Sequence, residues 1–411
     1  MENQKKQRAN PIFLCALGIY LSWQMYGVFG AIPGLRGLFN ILMSIMVIAL
    51  AAIYTPQFID KALVDHEGKI YLLLFILLLL FDFIAGGDFS VLMMFLPVLV
   101  YFSSWIYLKD KKPSKGLIIW ILLNFIFKII VTFFFLPGES LIIKKYDHLG
   151  YASSDGITRS VMGYSAVYLI VPTIILLLSY YKKQTERRYK GFLILTIGLM
   201  LTIVLVSQVS MMLFATTILL TCYFVLKGEN ITKKTKTRMY VIVGILVLIY
   251  ILRIEILETL LTWDFLGTTV LSRLQGLLDV LQGGMDYVSS NYTDMLEGDS
   301  VVNRFYSYRE SFTALFHNFF LGYLTPNAHI VGGHSEIIDM WAKYGVLVAG
   351  AWIIIVQKTF KRNMRNHKTG KVAITLVYLY ILLISILNNF SVNNVGIISY
   401  IFIPQLFGTE G

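Results

Sequence analysis

A histidine, a serine, two carboxylic acids and a lysine fall within residues 332–345, GGHSEIIDMWAKYG, at the edge of a strongly apolar run. His334 has the broadest chemistry, because an imidazole titrates near neutral pH and can accept or release a proton. It follows Gly332 and Gly333, and is read in the first turn of the next helix, facing the aqueous side. The bland alternative for a lone histidine is an interfacial residue held by a hydrogen bond. On a helix Glu336, Asp339 and Lys343 share one face, and Asp339 precedes Lys343 in the favourable ion-pair order. These three read as a solvated face, since such a pair contributes only about 0.3–0.5 kcal/mol.

A second group is cationic. Arg304 and Arg309 sit in NRFYSYRESFTALFHNFFLGYL, a stretch otherwise aromatic and apolar. A guanidinium beside lipid is unfavourable unless it meets an anion, and its fork fits two phosphate oxygens. The alternative is a snorkelling side chain at the interface. Arg159 stands at the mouth of the apolar run 161–180 in DGITRSVMGYSAVY, and Arg273 in TTVLSRLQGLLDVL; both admit the same two readings. Lys144, Lys145 and His148 read as solvated loop residues. Asp82 and Lys128 fall inside apolar runs, where a charge is functional or paired, and pairing with each other as structural glue is the expectation.

The elements that must position these groups follow from composition. Of 411 residues, 57% are hydrophobic and only 14% charged, against about 25% charged in a soluble domain; mean hydropathy is +0.70. Apolar runs near the ~20 residues needed to cross a bilayer recur along the chain. The expected fold class is all-α, a polytopic transmembrane helical bundle, because an open sheet cannot satisfy its backbone in hydrocarbon. About twelve spans are read, at 11–30, 38–54, 70–86, 90–108, 117–136, 161–180, 191–207, 210–226, 239–257, 344–357, 372–389 and 395–408. The basic N-terminus MENQKKQRAN precedes an apolar run without a small-residue cleavage site, so it is read as an uncleaved first helix.

Charge sets the orientation. Alternate loops, ending with KTFKRNMRNHKTGK, hold 25 of the 35 Lys and Arg. The positive-inside rule then puts both termini in the cytoplasm of a plasma-membrane protein. The net charge of +11 resides in those loops and does not point to nucleic acid. The opposite side carries two long segments, about 138–160 and 258–333. The second is too long to be structureless, and its periodic stretches TTVLSRLQGLLDVL and YSYRESFTALFHNFF read as surface helices. The chain therefore divides into 1–257 (nine spans), 258–333 (large extracytoplasmic loop) and 334–411 (three spans).

Several functions are disfavoured. Cys15 and Cys222 lie in apolar runs, so neither a disulfide nor a metal cluster is expected. No Gly-Lys phosphate loop and no Asp cluster suited to a nucleotide sugar is present, so the energy of a reaction would come from the substrate. A transporter or flippase would place polar groups near the bilayer midplane, often in inverted repeats; here they gather at one surface and no repeat is evident.

The segment around His334 resembles the signature of the O-antigen ligase and O-antigen polymerase superfamily: His334, Ser335, nine residues, then Gly345, with Val348 departing from the usual small or Tyr position and Gly350 two residues on. Arg304 followed by Tyr308, with Gly322 closing NFFLG, resembles a second motif in which Phe319 replaces the usual Pro. TRSVMGYSAVYL, with Arg159 and Gly163, resembles a third, and SQVSMMLFATTILL a fourth in which Gln208 replaces a common Arg. The resemblance covers roughly residues 150–390. It implies a glycosyltransferase that needs no metal or cofactor and acts outside the cytoplasmic membrane on glycans carried by undecaprenyl diphosphate. A flippase and a chain-length regulator are the expected partners. In this expectation Arg159 and Arg304 hold the diphosphate, Arg309 and Arg273 are weaker candidates, and His334 is the catalytic base or orients the acceptor. A capsule or exopolysaccharide repeat-unit polymerase is the first reading. A ligase moving finished glycan to another acceptor is the second, and a polysaccharide flippase the third.

Overall fold

The computed structural model describes residues 7–25, 35–64, 66–84, 90–135, 162–207, 210–226, 232–263, 268–291, 300–317, 319–322, 335–388, 390 and 392–408. Among them the regular elements are helices: α1 (Pro11–Met25), α2 (Leu35–Ile53), α3 (Phe58–Val64), α4 (His66–Ile84), α5 (Ser90–Leu108), α6 (Lys115–Phe135), α7 (Tyr164–Lys183), α8 (Arg187–Val206), α9 (Ser210–Leu226), α10 (Lys233–Ile251), α11 (Arg253–Leu261), α12 (Thr268–Asn291), α13 (Ser300–His317), α14 (Glu336–Asn366), α15 (Lys371–Leu387) and a C-terminal helix. The last runs from Val392 through a π-helical stretch, Ile397–Phe402, to Phe407. Unbroken Leu, Ile and Phe runs favour helix over any structure that would leave backbone groups unpaired in lipid.

Among the described residues four helices are long and apolar enough to cross a membrane: Lys115–Phe134, Ala166–Lys183, Arg187–Val206 and Glu336–Asn366. Counting each bent pair as one span raises this to 6. The expected span 239–257 is one of those pairs, with α10 turning by 72° into α11. Shorter apolar helices, of 10–17 residues, include Pro11–Gln24 and Lys371–Leu387. Large apolar side chains face outward along the spans, Phe134 on α6 and Tyr240 on α10 among them, as expected of a surface solvated by lipid rather than water.

In lipid, apolar contact alone drives little association, so packing and internal polar bonds carry more of it. α4 lies against α14, α14 against α15, and α15 against α7, around a core that includes Phe125, Trp352, Tyr380 and Phe402. At the end of the bundle that carries the basic loops, Glu67 at the start of α4 is 2% exposed and accepts from Tyr400 Oη at 2.8 Å. It also accepts from Thr359 Oγ1 and Arg362 Nη1 of α14. The Arg362 guanidinium lies 3.8 Å from the Trp105 ring centre on α5. One ion pair thus fastens α4, α5, α14 and the C-terminal helix. The sequence places Arg362 in the basic loop KTFKRNMRNHKTGK; α14 instead continues to Asn366 and turns this side chain inward. Glu67→Ala strands a buried guanidinium, and thermal unfolding in detergent should show a loss of roughly 3–5 kcal/mol. An unchanged unfolding midpoint would mean that the pair is not closed in the native protein.

Candidate functional site

The opposite end of α14 holds the segment that follows His334. Ser335 caps the helix, its hydroxyl accepting from Ile338 N at 3.3 Å. Such a cap satisfies an amide that has no partner within the helix. Asp339 closes the same turn. Its Oδ2 accepts from Ser335 N at 3.2 Å, while its Oδ1 accepts from Ser311 Oγ of α13 at 2.7 Å. Ser335 Oγ also donates to Ser385 O on α15 at 3.3 Å, and Tyr308 Oη of α13 donates to Leu387 O at 2.6 Å. Glu336 N donates to Asn388 O at 3.3 Å. Three helix segments are therefore bonded around one turn. The turn is buried: Ser335 is 0%, Glu336 4% and Asp339 6% exposed. This corrects the expectation that Glu336 and Asp339 form a solvated face. Neighbouring helices cover them, and Asp339 serves as an acceptor for two donors rather than as a surface charge.

α13 supplies the second wall. Arg304, Tyr308 and Ser311 recur at helical spacing, so they line one stripe of α13. Two of the three bond directly to α14 or α15, which turns the stripe toward the capped turn. Burial pushes the Tyr308 phenol up, Arg304 pulls it down, and Asp339 pushes it up again. The phenol remains a neutral donor, and both charges act on it across the same space. Arg304 is half-buried and makes no hydrogen bond or ion pair among the described residues.

Two glycines fix how α13 is joined to α14. Gly345 interrupts α14 at φ +73°, ψ 178°, a conformation essentially reserved for glycine. Val346 N bonds Phe319 O at 3.0 Å, so an amide freed by the break finds a protein partner. The turn 319–322 enters the break so closely that a Cβ on Gly345 would lie 2.2 Å from Phe320 O, and one on Gly322 2.4 Å from Lys343 O. The Phe319 ring lies 5.4 Å from Trp341.

The remaining sequence candidates separate. Arg309 Nη1 donates to Ser289 Oγ, so its exposed side chain ties α13 to α12. Arg273 is half-buried on the first half of α12, before a second glycine break at Gly284. His334, Arg159 and the group Lys144, Lys145 and His148 lie outside the described residues, as does the Asp82 side chain; His334 immediately precedes the Ser335 cap in sequence. Lys128 is 8% exposed, and its carbonyl accepts from Thr132 Oγ1 at 2.8 Å.

The sequence reading missed Ser311, Ser385 and Asn388. Ser311 continues the stripe of Arg304 and Tyr308, and Ser385 and Asn388 give a polar end to an apolar run, so a search for polar residues in phase would have found them. Removing the Asp339 carboxylate with Asp339→Ala leaves two buried donors unpaired, and should lower stability by roughly 1–3 kcal/mol per donor. Asp339→Asn, which keeps an acceptor oxygen, should lose less; equal losses measured by thermal unfolding would contradict this placement.

No protein-family model matches the chain, and no curated protein matches it in sequence.

Proposed function

We propose that this chain is a membrane glycosyltransferase that joins polyprenyl-diphosphate-linked oligosaccharide repeat units into a surface polysaccharide. In this reading about twelve helices span the plasma membrane, both termini are cytoplasmic, and the capped turn of α14 lies at the extracytoplasmic rim. The observation that carries it is the stripe on α13. Arg304, a half-buried guanidinium unpaired among the described residues, shares that stripe with Ser311, which bonds Asp339 in the turn that follows His334, and with Tyr308, which bonds the end of α15. A lipid diphosphate is an anion anchored in an apolar phase, and a guanidinium on an aromatic, apolar helix suits both of its parts.

The proposed reaction is a displacement. A hydroxyl oxygen of the acceptor sugar bonds to the anomeric carbon of the donor glycan, and the bond from that carbon to the diphosphate oxygen breaks. The hydroxyl proton passes to His334. The electron pair leaves with undecaprenyl diphosphate, whose growing charge Arg304 stabilises, assisted by Arg159. Arg309 and Arg273 play lesser parts, the former chiefly by joining α12 to α13. The resemblance around His334, Arg304 and Gly322 supports the reading, as does the packing of the two motif glycines, Gly322 and Gly345, against each other's backbone.

The test uses purified full-length protein in detergent with undecaprenyl-diphosphate-linked repeat units. Longer glycan on the lipid carrier is the expected product, and no sealed vesicle is needed. Transfer only to a different acceptor would indicate a ligase. Movement of substrate across sealed vesicles, with no lengthening in detergent, would indicate a flippase and overturn the proposal.

A further inference from the structure

Where α14 meets the end of α15, two buried polar atoms lack partners among the described residues. Glu336, 4% exposed, is the first residue of α14, and the Phe390 backbone N–H donates to its carboxylate. Its Oε2 has no hydrogen-bond partner. Asn388, 7% exposed, caps α15, and its Nδ2 also has none. The two residues are already linked through backbone, Glu336 N to Asn388 O at 3.3 Å, yet their side chains do not satisfy each other.

Buried polar atoms are nearly always paired, so an open acceptor and an open donor on two residues joined by a backbone hydrogen bond call for a partner, whether a water or a ligand group. That partner must donate to a carboxylate oxygen and accept from an amide. A fully deprotonated inorganic anion offers no donor for Glu336 Oε2, and a metal cation gains nothing from an amide N–H₂, which has no acceptor. An apolar group satisfies neither atom. A hydroxyl satisfies both at once.

We infer that Glu336 and Asn388 form a subsite for a hydroxyl of the acceptor sugar. The hydroxyl donates to Glu336 Oε2 and accepts from Asn388 Nδ2. This rests on the glycosyltransferase reading and adds its acceptor side: Glu336 lies two residues from His334 in sequence, on the turn that Asp339 closes. No proton is transferred at this pair; it binds and orients.

The experiment uses the full chain in detergent and, as probe, the lipid-linked oligosaccharide that accumulates in a host strain lacking this gene. Glu336→Gln and Asn388→Ala should raise the glycan concentration for half-maximal elongation by about tenfold or more, the scale of one lost hydrogen bond, with the maximal rate little changed. Both variants should still bind sugar-free undecaprenyl diphosphate as wild type does, whereas Arg304→Ala should not. Glu336→Gln preserves side-chain volume, and gel filtration verifies its fold; should it misfold, Asn388→Ala carries the test. Unchanged half-saturation in the folded variants, with Arg304→Ala inactive, would assign the two atoms to a structural water and overturn the subsite alone. Full activity of Arg304→Ala, or a deletion strain that accumulates no lipid-linked glycan, would overturn the glycosyltransferase reading together with it.

Discussion

Arg304→Ala should lower the rate of glycan elongation on the order of 10²–10³-fold, the scale for removing one preorganised donor from a site of developing charge. The side chain is half-buried, and it sits on the α13 stripe whose other members reach α14 and α15. Arg304→Lys should recover only part of the activity, since an ammonium restores the charge but not the two-pronged geometry. Arg309 is the internal control. It lies five residues further along the same helix but bonds Ser289 of α12, so Arg309→Ala should remain close to wild type. Rates measured on equal amounts of folded protein separate the two residues. Equal losses at both positions would show that general positive charge, not the stripe, matters.

Gly345→Ala and Gly322→Ala should each lower stability and activity together. Alanine at Gly345 meets a backbone conformation that costs roughly 1–3 kcal/mol for a side chain that cannot adopt it readily, and its Cβ would press on Phe320 O from 2.2 Å. At Gly322, φ is +65° and the obstacle is Lys343 O. Both obstacles are backbone atoms, which cannot move aside as the end of a flexible side chain would. Because the two glycines form one contact, the second substitution should add less than the first, and a double-mutant cycle on thermal unfolding reads that coupling directly. Additive losses would mean that the turn 319–322 and the α14 break are independent. The functional consequence follows from position: this contact ties the chain that follows α13, the helix carrying Arg304, to the helix whose cap follows His334.

The helical character of the chain was legible because long apolar runs have few structural solutions in lipid. Positions of single breaks were less so. The apolar run 239–257 has no Pro or Gly at the 72° turn near Leu252, so the bend carries no helix-breaking residue to mark it. The same holds at the site. Periodicity put Glu336 and Asp339 on one face but could not say what covers that face; Ser311 and Asn388, from elsewhere in the chain, bury it. Arg362 looked like any other basic loop residue until Glu67, 295 residues away, appeared beside it. The glycines were the opposite case. Gly322 and Gly345 stood out at motif spacing, and a positive φ with no room for a Cβ supplies the physical reason that glycine suits both positions.

The proposed function requires one lipid diphosphate held between α13 and the capped turn of α14. A photoreactive undecaprenyl diphosphate, cross-linked to the full-length protein and mapped by mass spectrometry, locates that ligand directly. Saturable labelling within residues 300–317 and 332–345, competed by unlabelled carrier and lost in Arg304→Ala, is the predicted result. Labelling at the basic end around Glu67 and Arg362, or none that saturates, would contradict it.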